Sequence, residues 1–380
     1  MSTAHGYPLL QALSKVVDFR KSRGKRHPLA AILALGCVAA LCGASSLTAI
    51  SQWGRHHDPA LLARLGFTHF PGPSIATLHR VFKKLDVVAL EQALTAWWQT
   101  WLPALGPLAL DGKTVRGSGC DSEPALQLLA AFATQVRLVL AERAITGGDE
   151  IGTALALLEG LDLHGWIVTG DAKLTQKAIV QTIIARGGDY VLTVKANQPT
   201  LVDDIATLFA EPHVVAETLT MTRRLDLHGS RIEVRALQAS SALTAEYCGW
   251  AGLRQVFRLE RQRRDKRTGT HEFSVHYGIT SLAPERADAR RLAALNRGHW
   301  GIENRLHWVR DVVLGEDASR IRTGKAPQVL ALFRNVAISF LGLLGYDSPS
   351  EGLRHFAWNA AEAVSCVTQG WSSSTAAKMK

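Results

Sequence analysis

The sequence predicts an α/β protein: a mixed sheet with flanking helices, preceded by an all-helical region and interrupted by a β-rich insertion. Three observations predict it. Residues 1 to about 102 show helical periodicity, and after Pro103 come short apolar runs bounded by Gly, Asp or Lys. From about Asp203 to Arg291 the pattern turns polar and alternating. The expected domains are therefore 1–102 (a helical module), 103–345 (the α/β body, with its insertion at about 203–291) and 346–380 (a C-terminal helix and a polar tail).

In the first region, SIATLHRVFKKLD follows Pro73 and the capping residue Ser74, and it spaces Leu78, Val81, Phe82 and Leu85 on one face. His79, Arg80, Lys83 and Lys84 fall on or beside the other face. Such a basic face either contacts nucleic acid or is simply solvated. Ahead of it, Leu29 to Ile50 is uncharged over enough residues to span a bilayer and has a basic flank. Its many Ala residues, with Gly36, Gly43, Ser45, Ser46 and Thr48, argue instead for closely packed buried helices.

With 47% hydrophobic and 20% charged residues, the chain can bury substantial cores. Lys and Arg number 43 against 33 Asp and Glu, a formal charge of +10 that suits a polyanionic partner. Cys37, Cys42, Cys120, Cys248 and Cys366 are odd in number and scattered without a CxxC pair, so neither a disulfide framework nor a structural zinc site is indicated. The opening residues lack a secretory pattern, and the reducing cytoplasm is the expected compartment.

In the α/β body, PLALDGK, LQLLAAFA, RLVLAERAI, GWIVTGDA and DYVLTVKA read as strands. EIGTALALLEGL and TQKAIVQTIIARGG read as the helices between them, the second closing on Gly187. Asp111 ends the first of these strands and Asp171 the fourth. If the two strands are adjacent, both carboxylates reach one edge of the sheet, where hard divalent cations can bind between them; taken singly, each is an ordinary turn residue. A third acid, Glu303, lies in GHWGIENRLHWVRD, where helical spacing puts Glu303, Leu306, His307 and Arg310 on one side. As plain structure this would be a surface salt-bridge ladder, with Trp300 and Trp308 as core anchors.

Several stretches together carry a family resemblance: DFRKSRGKRHPLAAILAL, PSIATLHRVFKKLD, LALDGKTVRGS, IVTGDAKLTQ, YVLTVKANQPTL and RGHWGIENRLHWVRDVVLGEDASRIRTGKAPQVLALFRN. The chain resembles the ISAs1-family transposases, DDE enzymes related to the IS4 group and to the H-repeat-associated proteins. The resemblance implies an RNase H-like fold, with Asp111 in LDGKT, Asp171 in TGDA and Glu303 in HWGIEN as the catalytic, metal-binding carboxylates. Where the wider IS4 group has Tyr, Arg and Lys around the Glu, this chain has Asn296, His299 and Arg310. DAKLTQ also differs from the family's DALHTQ at Lys173 and Leu174.

The resemblance further implies two Mg²⁺ ions, replaceable by Mn²⁺, that drive cleavage and strand transfer of double-stranded DNA at terminal repeats and target. A homodimer or larger synaptic assembly is implied, located in the cytoplasm on the nucleoid. Lys113, Lys195, His299, Arg305 and Arg310 are the expected phosphate contacts around the site, with Arg80, Lys83 and Lys84 on the helical module. Two alternatives stay open at this point: a catalytically impaired DNA-binding relic, and an RNase H-like nuclease without strand transfer.

Overall fold

The protein, seen in a computed structural model, is described over residues 7–101, 106–120 and 123–369; the Pro103 boundary and the polar tail fall outside these residues. Helices α1 (Leu9–Leu13), α2 (Leu29–Leu41), α3 (Leu47–His56), α4 (Pro59–Arg64), α5 (Ile75–Lys84) and α6 (Val87–Gln99) come first. Strands β1 (Gly106–Val115), β2 (Leu126–Ala133) and β3 (Leu138–Ala144) follow, then α7 (Glu150–Glu159), β4 (Trp166–Gly170), α8 (Lys177–Ala185) and β5 (Asp189–Val194). Next are α9 (Pro199–Ala210), α10 (Pro212–Val215), β6 (Thr220–His228), β7 (Arg231–Ser240), α11 (Ala245–Cys248), β8 (Gln255–Asp265) and β9 (His271–Thr280). The chain then runs through α12 (Ala289–His299), two π-helical turns, α13 (Ala326–Leu343), α14 (Pro349–Trp358) and α15 (Ala360–Thr368). Two compact units divide it: residues 1–103, 112–150 and 302–380 form one, and residues 104–111 and 151–301 the other.

In the first unit, the uncharged stretch from Leu29 to Ile50 breaks into α2 and α3. Gly43 takes φ +88°, which L side chains resist, and Ser46 caps α3 by accepting from the Ala49 amide. Thirteen residues of helix span about 20 Å, too short for a bilayer core of about 30 Å. Every residue of α2 except Ala30 is buried, in contact with α1, α3, α13 and α15. The small residues have a steric purpose, because a Cβ on Gly36 would stand 2.3 Å from the Phe333 ring of α13. Helix α13 is long and apolar enough to cross a membrane, yet it is buried from Ala326 to Leu341.

Helix α5 follows its periodicity. Ser74 accepts from the Thr77 amide, Leu78, Val81 and Phe82 are buried, and Arg80, Lys83 and Lys84 face solvent. It stops at Lys84 because Asp86 accepts from the Ala89 amide (3.0 Å) and caps α6. On α6, Glu91 is buried and accepts a 2.6 Å hydrogen bond from the Gln328 side chain. Burial pushes its carboxyl up to about 8. β2 and β3 pair antiparallel, with a register shift between Ala131 and Phe132.

The second unit is built on a mixed sheet in the order β1–β4–β5–β9–β8–β7–β6. β1, β4 and β5 run parallel, β9 pairs antiparallel with β5, and β8, β7 and β6 continue antiparallel outward. Helix α12 packs on this sheet, its Leu292 and Leu295 joining Ile167, Val191, Leu237 and Phe257 in one core. The polar strands expected from about Asp203 begin only at Thr220, since Asp203–Ala210 belongs to α9. Leu201, Ile205 and Leu208 are its buried residues, a spacing of four and three that marks a helix.

Two outcomes follow for the first unit. Gly36→Leu should cost about 3 kcal/mol by overpacking against Phe333, measured by denaturant unfolding of the full chain. For Glu91, the native carboxyl holds its proton up to about pH 8 whereas the unfolded one loses it near the ordinary value of 4.5. Its contribution is therefore fully present below 4.5 and falls as pH rises towards 8. Glu91→Gln should flatten that slope, raising Tm more at pH 9 than at pH 5.

Candidate active site

Within the second unit, β1 and β4 lie side by side and parallel, registered from Gly106↔Trp166 to Leu110↔Gly170. Asp111 and Asp171 are each the next residue beyond the last registered pair. Neighbouring strands run about 4.8 Å apart, so the ladder sets the two acids side by side at the C-terminal end of β4; β1 itself runs on to Val115, so Asp111 lies within its strand and not at the strand end expected from the sequence. The fully buried run from Trp166 to Gly170 anchors that end. Asp171 leaves the strand at once, and its Oδ1 accepts from the amides of Lys173 (3.0 Å) and Leu174 (3.3 Å), capping a short 3₁₀ turn. Its carboxylate remains exposed, and its second oxygen can take a cation.

Residues from the loop after β5 hold this turn. Asn197 donates to the Ala172 carbonyl (2.7 Å) and Gln198 to the Thr175 carbonyl (3.0 Å), while Thr175 donates to the Thr193 carbonyl (2.6 Å). This support was not singled out from the sequence, although Asn197 and Gln198 lie within the YVLTVKANQPTL motif. Lys173 is exposed and Leu174 is buried beneath the strand end, so the two departures from the family's DALHTQ leave the capping by backbone amides intact.

His299, from α12, brings its Nδ1 within 3.1 Å of the Thr169 hydroxyl on β4. Burial holds its imidazole below the ordinary histidine range, with the Asp171 charge pulling the other way. The position beside Thr169 gives the ring a hydrogen-bonding role on β4, next to the Asp171 turn. Lys195 is exposed one residue past β5.

Glu303 belongs to the first unit. Its segment winds in two π-type turns, Glu303–His307 and Val309–Val313, with the Leu314 amide bonding five residues back to the Val309 carbonyl (2.9 Å). The wider winding breaks the stripe expected from α-helical spacing. Glu303 and Arg305 are exposed, whereas Leu306, His307 and Arg310 are buried. Glu303 keeps one expected neighbour, lying 3.5 Å from the His307 Nδ1. Trp300 and Trp308 are 61% and 52% exposed, so they are not core anchors. Arg305 donates to the Thr134 carbonyl (3.2 Å).

Two expected phosphate contacts are corrected. Arg310 has no exposed side-chain surface; its guanidinium binds Glu142 and both oxygens of Glu316 (2.8 and 2.9 Å). Burial opposes the Arg310 charge, but the two carboxylates outweigh it and hold the proton more firmly than in water. Lys113, 9% exposed, pairs with Asp311 at 2.5 Å and with Glu316 at 3.9 Å. Both cations are consumed inside the first unit. Arg305, Lys195, Arg80, Lys83 and Lys84 keep exposed side chains.

Residues 104–340 match the family model described as a transposase DDE domain, and residues 10–98 match the model of the region associated with it. The chain belongs to the DDE transposase family. Among relatives, it is 31% identical over 343 residues to "Putative transposase YncI" of Escherichia coli O157:H7, covering 88% of this chain and 87% of that protein. It is 29% identical over 354 residues to "H repeat-associated putative transposase YhhI" of Escherichia coli strain K12, covering 88% and 90%. Among solved structures, a piggyBac transposase synaptic complex with hairpin DNA aligns with 94% of the chain and 81% of its own at TM-score 0.39 and 10% identity, a likeness too remote to bear on function. Membership makes this DDE-family chain a DNA transposase, in a family that uses divalent metals. The succession of three strands, a helix, a strand, a helix and a strand is the α/β order read from the sequence.

Arg310→Met should test the corrected role. Removing one member of a buried ion cluster strips Glu142 of its cation and leaves Glu316 with Arg334 and Lys113 alone, so stability should fall by about 3–5 kcal/mol in denaturant titration.

Proposed function

We propose that this DDE-family chain cleaves double-stranded DNA at the ends of a mobile element and joins those ends to a target, using Asp111, Asp171 and Glu303 as its three carboxylates. The observation that carries the reading is the β1–β4 register, which leaves two acids at equivalent positions on adjacent parallel strands. Two carboxylates at one sheet edge form a hard, all-oxygen donor set suited to Mg²⁺ or Mn²⁺. Glu303 enters by motif, four residues after His299, which lies beside Thr169 near Asp171. Bound there, a pair of divalent cations would activate first water and then a DNA 3′-hydroxyl and would stabilise the leaving oxygen.

The chain's own residues have defined tasks in this reading. Asp111 and Asp171 present negative charge where cations gather, and the Lys173 and Leu174 amides fix the angle of Asp171 while leaving one oxygen available. His299 would orient through Thr169, whose hydroxyl its Nδ1 meets. Lys195 and Arg305, both exposed, would meet DNA phosphates. The active assembly would be a homodimer or larger, formed on paired ends in the cytoplasm.

The test uses duplexes from the flanks of the gene, incubated with Mg²⁺, Mn²⁺ or EDTA and scored for nicks and joined products. Wild type should nick and join with either metal and do neither in EDTA. Loss of several kcal/mol of transition-state stabilisation corresponds to about 10³-fold in rate, and Asp111→Asn, Asp171→Asn and Glu303→Gln should each show a loss of that order. Binding without cutting would identify a relic, and hydrolysis without joining a nuclease; either overturns the proposal.

A further inference from the structure

The first unit holds a recess of about 840 Å³ between the chain around residues 19–27, the end of α3, the Pro71–Gly72 segment and the length of α5. Eight of its sixteen lining residues are Lys or Arg and none is Asp or Glu. Its walls meet because two glycines permit it: the Gly72 amide donates to the Gly54 carbonyl (3.1 Å), and a Cβ on Gly72 would stand 2.4 Å from that oxygen. This close approach brings Arg55 next to the Pro71–Ser74 segment, opposite Lys21, Arg23 and Arg26.

Cations gathered around one concavity repel one another, and a concave, low-dielectric wall strengthens the field they share. Some arginines elsewhere are neutralised by carboxylates. On the outer strands of the second unit, Arg261 and Arg263 meet Glu233, and Arg258 meets Glu260 at 2.6 Å. At the recess, the carboxylate of Asp18 serves Arg20 (2.8 Å), whereas Lys21, Arg23, Arg55, Lys83 and Lys84 have no carboxylate partner among the described residues. An independent feature also points to a ligand. His27 lines the recess at 6% exposure, its ring set edge-on to Phe67 at 5.5 Å, and its Nδ1 has no hydrogen-bond partner among the described residues. Ser74 and Thr77 add hydroxyls at the start of the ten-residue α5.

We infer that this recess is a second DNA-binding site, apart from the Asp111 and Asp171 edge, that seats the phosphodiester backbone of a duplex on Lys21, Arg23, Arg55 and Lys84. The choice of DNA among polyanions rests on the transposase reading; the anion-binding chemistry rests on the recess alone. The volume is far more than one inorganic anion fills, so consecutive backbone phosphates suit it better than a single ion. Its cations give affinity without sequence preference, which is how phosphate contacts behave.

The test measures binding of full-length protein to a 30-base-pair duplex of arbitrary sequence by fluorescence anisotropy across a salt series. EDTA is present throughout, so cleavage plays no part and a failure of the catalytic reading leaves this measurement untouched. Lys21→Gln/Arg23→Gln and, separately, Arg55→Gln/Lys84→Gln should each weaken binding at least tenfold near physiological salt. Each should also reduce the slope of log K against log[salt] by close to two, since each lost phosphate contact removes about 0.9. Lys266→Gln/Arg267→Gln, equal in charge change on an exposed turn of the second unit, should leave affinity within twofold. Circular dichroism establishes that the variants are folded, and two independent pairs guard against one misfolding. Equal affinity and slope in both recess pairs would overturn the inference. So would an equal loss in the control pair, or tighter binding of an RNA duplex than of DNA.

Discussion

The first unit depends on a buried constellation of charge centred on Arg310. That side chain reaches Glu142 on β3 and Glu316 in the following loop, and Glu316 in turn binds Arg334 of α13 at 3.2 Å. Lys113 of β1 joins through Asp311 and Glu316. Taking this many charges out of water is costly, and the cost is met only if every charge finds its opposite. The requirement fixes β3, the π-helical segment and α13 in one arrangement, because a shift in any of them strands an ion. The segment so fixed carries Glu303, which is itself exposed. The same chemistry that makes the cluster rigid removes Arg310 and Lys113 from contact with DNA.

The second unit works by a different constraint, the hydrogen-bonded ladder. Parallel pairing of β1 with β4 allows no independent adjustment of Asp111 and Asp171, since each follows the last registered pair by one residue. The backbone amides at Lys173 and Leu174 then hold Asp171 whatever side chains those residues bear. With Asp111 inside a strand, Asp171 just past one, and the turn held by Asn197 and Gln198, the backbone sets the spacing of the two acids without help from a ligand, the kind of preorganisation that lowers the ordering cost of binding.

The formal charge of +10 is unevenly used. Arg224, Arg235, Arg258, Arg261 and Arg263 on the outer strands of the second unit lie in ion pairs, Arg310 is sealed in the core, and the recess of the helical region keeps its cations accessible. Net charge therefore says little about where a polyanion would sit. What matters is which cations lack carboxylates and share one concave surface.

Much of this was legible in the sequence, for reasons that differ by element. Helix α5 could be read through because its cap at Ser74 and its stripe of Leu78, Val81 and Phe82 are local effects. The apolar runs leading into Asp111 and Asp171 could be read as strands because their composition is local, although β1 continues past Asp111 to Val115, and the family followed from motifs in fixed order. The roles of Arg310 and Lys113 could not, since a cation bound for phosphate and one bound for a buried carboxylate look alike until partners some 170 to 200 residues away are in place. Winding was equally hidden: α-helical spacing put Glu303 and Arg310 on one side, and tertiary packing selected π turns that part them. The sequence by itself determined the elements, the family and the candidate acids, because those depend on neighbours along the chain. Only the tertiary structure decided which charges are spent within the protein and which remain for a partner, because burial and pairing depend on neighbours in space.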